Sequence, residues 1–320
     1  MGEQAAVMGR DQIRLGDGAD GAIVVRTKTR PLSRRTWVWY AIEYVAFRFV
    51  GAVFGALPVE TSSAFSGWLW RHLAPLNRRH RRALAHLRAA FPEKTDAERT
   101  AIASAMWENL GRVFAESFHL HRIAAGDRIV IEPAETMRTL AAAGKATVIC
   151  SAHLGNWELV VVGVWRPGLR PASVYQTIKN PFVDAYVARR RGRFSPSGLL
   201  PKGPATAKRL LRHARDGGTV ALLADLRDVN GIKVPFFGRP APSTTLPALL
   251  ARKFGAPLFA ARLVREPGVR FRFLIEQIPV PCTDDREADI AAATAALQAA
   301  IEGHVRATPE QWMWAHRRWG

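Results

Sequence analysis

The chain has 320 residues, 48% hydrophobic and 23% charged, which places it among globular proteins large enough for a sizeable core and excludes a disordered chain. Lys and Arg number 46 against 27 Asp and Glu, and the resulting +19 charge draws phosphate-bearing or acidic partners. No nucleic-acid partner is expected, because the basic residues are spread along the chain without a zinc-finger, RNP or basic-zipper pattern. Cys150 and Cys282 lack CxxC or metal-ligand spacing and read as buried thiols; neither a metal nor another cofactor is implied.

Residues 1–35 are Gly-rich, mixed in charge and aperiodic, and are expected to form a flexible tail too polar for a signal peptide. Residues 36–59 follow a basic flank, Arg34-Arg35, and run apolar from Trp37 to Leu57. About twenty helical residues just span a bilayer core. Glu43 and Arg48 oppose full insertion, each charge costing roughly 2.5–3.5 kcal/mol near the centre. The aromatic start and basic flank fit an interfacial anchor, with a buried helix of a soluble domain as the alternative. The helix is expected to anchor the chain, spanning or half-inserted, with its basic flank on the anionic cytoplasmic face of the membrane.

Residues 60–320 are expected to be one catalytic domain. Helical spacing governs 60–122, interrupted at Pro75, with a dense basic run at Arg78–Arg82 that reads equally as a solvated face. Beyond about residue 129 short apolar runs (146–151, 172–175, 219–224, 258–263 and 270–277) read as strands. Helical patterns separate them at 157–165, 181–190, 206–215, 246–254 and 287–307, an alternation that implies a mixed or parallel α/β sheet flanked by helices.

The sharpest local feature is Ser151-Ala152-His153-Leu154-Gly155-Asn156-Trp157-Glu158. A histidine at the end of a buried strand stands where open α/β sheets place ligands. A carboxylate in the first turn of the following helix can reach back to fix its tautomer. His153 then reads as a general base, Glu158 as its partner, and the N–H groups of Gly155 and Asn156 as donors to an oxyanion or phosphate. Such a pair needs no protein nucleophile if the substrate brings a hydroxyl. The plainer alternative is a turn histidine and a helix-start acid favoured by the dipole.

His153 to Glu158 resembles the H-x4-D/E signature of glycerolipid acyltransferases. In the form Ala-His-Leu-Gly-Asn-Trp-Glu it is similar to the late acyltransferases of lipid A biosynthesis, the lauroyl/myristoyl family. Ser173–Tyr175, Asn180-Pro181, Arg189–Arg193, Leu222–Asp225, Val234–Ala241, Ser243–Thr245 and Pro309–Arg318 follow in the family's order, so the likeness spans roughly residues 37–319. The Gly-rich tail and Leu226-Arg227-Asp228 depart from it. The resemblance implies a glycerolipid-acyltransferase-like fold. It also implies transfer of an acyl chain from acyl carrier protein to a hydroxyl of a Kdo-bearing lipid A precursor. Carried onto this chain, it gives His153, Glu158 and Arg191 as catalytic residues, with Arg191 favoured among Arg189–Arg193. It gives Asn156, Arg189, Arg190, Asp225, Phe237 and Gly238 as substrate-binding.

Overall fold

The computed structural model describes residues 33–319 and the backbone of residues 12–15 and 22–25. Strands β1 (Gln12–Leu15) and β2 (Ala22–Val25) pair antiparallel, and Val24 pairs with Leu199 at a sheet edge. Both lie within the stretch expected to be a flexible tail; the remainder of residues 1–32 lies outside the described residues.

Five helices follow: α1 (Arg34–Ala56), α2 (Val59–Leu73), α3 (Arg78–Ala90), α4 (Asp96–Glu116) and α5 (Leu120–Ala125), with a 3-10 turn at Ala74–Leu76 containing Pro75. Helix α4 starts on a capping box, where Glu98 N–H donates to Thr95 Oγ1 and Thr95 N–H to Glu98 Oε2. The α/β region runs β3 (Ile129–Ile131), α6 (Ala134–Ala143), β4 (Thr147–Ser151), α7 (Val160–Trp165), β5 (Pro171–Tyr175) and α8 (Pro181–Gly192). It continues with β6 (Leu199–Pro201), α9 (Pro204–Arg215), β7 (Thr219–Leu223), β8 (Ile232–Phe236), β9 (Arg239–Ser243) and α10 (Leu246–Phe254). The long hairpin β10 (Leu258–Glu266) and β11 (Arg270–Ile278) precedes α11 (Arg286–Ala307).

The main sheet has nine strands in the order β1-β2-β6-β5-β7-β4-β10-β11-β3, parallel except at β1/β2 and β10/β11. This is the mixed sheet flanked by helices that the sequence implies. β4 lies inside it with all five residues buried, which is why it reads as a continuous apolar run. Its side chains alternate between two cores. Val148 and Cys150 pack with α3, α4, α9, α10 and α11, while Ile149 packs with α5, α6 and α7. The separate hairpin β8/β9 turns through Phe237 and Gly238, both at positive φ (51° and 67°), and packs against α11 and the C-terminal tryptophans. Cys282, expected to be buried, is exposed in the loop between β11 and α11, whereas Cys150 is buried in β4.

Helix α1 lies against the domain instead of standing clear of it. Tyr40 O and Glu43 Oε2 accept from Asn180 Nδ2 at one end, at 2.9 and 3.0 Å. At the other end Phe54 O accepts from His119 Nε2 at 2.9 Å. Between them Phe47 and Gly51 sit on Phe118, and a Cβ on Gly51 would come within 2.6 Å of that ring. The opposite face, through Trp39, Ile42, Val45, Phe49 and Val53, is apolar and exposed.

Candidate active site

Strand register builds the site. Ser151 at the end of β4 pairs with Leu223 at the end of β7. Two residues further along each chain stand His153 and Asp225, so parallel pairing brings them face to face. His153 Nδ1 donates to Asp225 Oδ1 at 2.9 Å, and His153 N–H donates to Asp225 Oδ2 at 2.9 Å. The indole N–H of Trp312 donates to the same Oδ2 at 2.9 Å. The Asp225 carboxylate is fully buried. Burial alone would raise its pKa, but the charge of His153 and these hydrogen bonds hold it well below the ordinary carboxylate range. An ionised Asp225 can only accept, so Nδ1 carries the proton, and in the neutral ring Nε2 then presents a lone pair.

Glu158 is not the partner of His153. Its carboxylate forms a bidentate ion pair with Arg191, Nε lying 2.5 Å from Oε2 and Nη2 bonding Oε1, and it accepts from Trp157 Nε1 at 3.1 Å. The segment after Asn156 begins as a 3-10 turn, Trp157–Leu159, and only then becomes α7, which carries Glu158 toward α8. Arg191 is the member of the basic cluster that meets it. Arg190 instead donates to Tyr186 Oη and Phe118 O, and Arg189 is exposed.

The turn between His153 and Glu158 is closed on the protein. Gly155 N–H donates to Gln311 O at 3.0 Å and Glu158 N–H to Asn156 Oδ1 at 3.2 Å, so the expected Gly155 donor is already occupied. Gly155 has φ 59°, and a Cβ there would fall 1.8 Å from Leu263 O, so the turn requires glycine. Asn156, expected on the substrate, is fully buried and donates to Glu116 Oε2 at 2.7 Å. Glu116 in turn takes both Nη groups of Arg265 at 2.6 and 2.8 Å, and Arg265 Nε donates to Asn109 Oδ1. Asn109 closes the loop by donating to Gly155 O and Gln311 O. Asp225 is corrected likewise, from a substrate contact to the buried partner of His153. Phe237 and Gly238 stand in the β8/β9 turn, with Phe237 packed on Phe91 and Trp314 and its N–H donating to Glu302 Oε2, and neither lines the cavity.

Beside the pair lies a cavity of about 550 Å3. Most of its lining is apolar, including Trp70, Trp107, Phe114 and Phe118, and the wall also carries Glu158, Arg190, Arg191 and His316. Arg79 and Arg82, from the run left open between a surface face and a site, line it too. The His153 ring sits 5.3 Å from Trp157 and 6.5 Å from His316, both wall residues. The sequence offered two signals for the supports: Asn109 and Glu116 are polar residues on the buried face of α4, and Gln311 precedes the tryptophans. Nothing local marks Trp70 or Phe114 as cavity lining, since aromatic spacing on a helix reads as core. Among the described residues no group of His, Cys, Asp and Glu could hold a metal ion.

A profile of bacterial lipid A biosynthesis acyltransferases matches residues 27–320. The chain belongs to that family. It is an acyltransferase, of mixed α/β fold, with one N-terminal helix apolar and long enough to cross a membrane. It is 28% identical over 253 residues to the lipid A biosynthesis lauroyltransferase of Escherichia coli K12, covering 76% of this chain and 79% of the relative. It is 31% identical over 233 residues to a phosphatidylinositol mannoside acyltransferase of Mycobacterium tuberculosis H37Rv (66% and 68% covered). To the phosphatidylinositol mannoside acyltransferase of Mycolicibacterium smegmatis it is 24% identical over 226 residues (65% and 69%).

Proposed function

We propose that this acyltransferase moves a fatty acyl chain from acyl carrier protein to a hydroxyl of a Kdo-bearing lipid A precursor, at the cytoplasmic face of the inner membrane. The observation that carries the proposal is a histidine held by a buried carboxylate beside a largely apolar cavity whose wall also carries arginines. His153 Nε2 takes the proton of the acceptor hydroxyl as its oxygen attacks the thioester carbonyl. Asp225 holds the ring in the accepting tautomer and offsets the imidazolium charge. The new C–O bond forms, the C–S bond breaks, and the proton passes to the departing thiolate. Arg191 is the candidate oxyanion donor: Glu158 takes its Nε and Nη2, which leaves Nη1 for the carbonyl oxygen. The apolar lining suits the acyl chain, and Arg79, Arg82 and Arg190 suit phosphates and acidic sugars, whereas Arg189 lines a separate cleft.

A second reading is a glycolipid acceptor of the phosphatidylinositol mannoside type, favoured by the likeness to the mycobacterial relatives. The test is mass spectrometry of lipid A from a strain lacking the chain, alongside acyl transfer by the purified protein to each acceptor. Unchanged lipid A, with transfer to the mannoside alone, would replace the first reading by the second.

A further inference from the structure

A second cleft, of about 520 Å3, lies between α1, α5 and α8, and shares Leu120, Tyr186 and Arg190 with the first cavity. Five of its lining side chains are basic: Arg48, His121, Arg189, Arg190 and Arg193. Among the described residues no carboxylate pairs with any of them. The acids of the same two long helices are engaged elsewhere, Glu43 with Asn180 and Asp184 with the N–H of Ile178. The guanidinium groups of Arg48 and Arg190 are instead held over the Tyr186 ring, at 4.9 and 5.0 Å from its centroid. Burial and the neighbouring arginines lower the His121 pKa, so the cations are the four guanidiniums; two of them lie over one aromatic ring and none has a counter-charge among the described residues, an arrangement suited to an anion from outside.

The position of the cleft indicates which kind of anion. Arg48 adjoins Val45 and Phe49 on the surface of α1, and these are 66% and 70% exposed. The exposed apolar face continues onto α2 through Phe65 and Trp68, whose rings are stacked. Cations therefore border an uncovered apolar surface, as phosphates border acyl chains at a membrane interface. We propose that this cleft binds the phosphate headgroup of a membrane lipid whose chains lie along the exposed face of α1. Arg190, on the wall between the two cavities, is the residue through which an occupant would border the acyl-transfer site.

The inference is read by binding, so its failure and that of the acyl-transfer reading are distinguishable. Vesicle flotation of the full chain compares neutral phosphatidylcholine with the same vesicles carrying phosphatidate, or carrying cholesteryl hemisuccinate at equal surface potential. The unaltered chain should prefer phosphatidate. Arg48→Gln with Arg193→Gln should weaken phosphatidate binding by clearly more than about 25-fold, because surface potential alone supplies about five-fold per cation removed and the bonds to phosphate add to it. Hemisuccinate binding should lose no more than that surface-potential share, and neutral binding should change by less than about two-fold. Lys208→Gln with Arg212→Gln removes equal charge from α9 and should preserve the preference. A circular-dichroism melt matching the unaltered chain establishes that the double variant folds. Equal losses on phosphatidate and hemisuccinate vesicles, or no loss, would overturn the proposal. Inorganic phosphate, but not sodium chloride of equal ionic strength, should compete away the preference for phosphatidate; a preference untouched by phosphate would overturn the proposal.

Discussion

His153 and Asp225 face each other because each stands two residues past the last paired position of neighbouring parallel strands, Ser151 on β4 and Leu223 on β7. Asp225→Asn should lower kcat by about 10²–10⁴-fold, since an amide cannot hold the ring in the accepting tautomer. His153→Ala should do at least as much, and the double variant hardly more, because the two act as a unit. Steady-state acyl transfer by detergent-solubilised protein checks this. Fully additive losses would show that Asp225 acts independently of the histidine.

Acid should weaken the fold before it reaches Asp225. Burial, helped by the charge of Arg262, pushes His304 down to about 4, and burial pushes His316 down to about 3. Between their ordinary value of about 6.5 and these values the unfolded chain binds protons that the folded chain refuses. Stability contributed by these groups is therefore complete above about pH 6.5 and falls as pH drops toward 4. Asp225, depressed below the carboxylate range, adds its loss only at lower pH. Denaturant midpoints measured from pH 7 to 4.5 should decline, and His304→Gln should flatten the decline. An unchanged slope in that variant would rule out His304 as a source.

The Glu116–Arg265 pair is almost fully buried and holds Asn156 within the His153–Glu158 turn. Burial works to raise the Glu116 pKa, and the Arg265 charge overcomes it and keeps the carboxyl ionised. Glu116→Gln would leave Arg265 buried without its counter-charge and should destabilise by about 3–5 kcal/mol. Arg265→Met with Glu116→Leu, which removes both charges, should recover much of that loss. Thermal unfolding of the three proteins decides it; a single variant as stable as the parent would show that water reaches Arg265.

Helix α1 keeps one face on the domain, from Tyr40 to Phe54, and leaves an apolar stripe outside. Membrane association through that stripe should survive high salt, because burial of Val45, Phe49 and Val53 is not screened as charge pairing is. Phe49→Asp with Val53→Asp should convert the chain to one released by salt. Release of the unaltered chain by salt would mean that charge alone holds it.

Legibility followed the range of the cause. α4 and α10 were readable from helical spacing, and β4 from its unbroken apolar run, because each signal is local. β3 and β6 have three residues each, too few to show a period, and β8 and β9 carry prolines that argue against strands. The resemblance singles out Arg191 as a catalytic residue, but its ion pair with Glu158 was not legible, because Glu158 was read as the partner of His153. The partner of His153 was not: Glu158 is five residues away in sequence, whereas Asp225 is brought close only by β7 lying beside β4. The usable sign was that both His153 and Asp225 follow the ends of apolar runs.

Glu158 and Arg191 should behave as a second unit, distinct from the first. The bidentate ion pair holds the guanidinium in one orientation on the cavity wall, with Nη1 unengaged among the described residues. If Nη1 stabilises the developing oxyanion, Arg191→Gln should lower kcat by about 10²–10³-fold, the usual loss for one such donor. Arg191→Lys should recover little, since an ammonium cannot both satisfy two carboxylate oxygens and reach a third acceptor. Glu158→Gln should fall between, because an amide still accepts one hydrogen bond from Arg191 but releases the second. A double-mutant cycle should then give strong coupling between Glu158 and Arg191, and weak coupling of either with Asp225. The pH profile separates this from a partnership with His153. Removing the orienting carboxylate of the base should shift the acid limb of kcat, whereas loosening an arginine should lower the plateau and leave the limb in place. Should Glu158→Gln move the acid limb while Asp225→Asn leaves it fixed, the partner of His153 during turnover would be Glu158, and the turn would have to rearrange from Arg191 toward the ring.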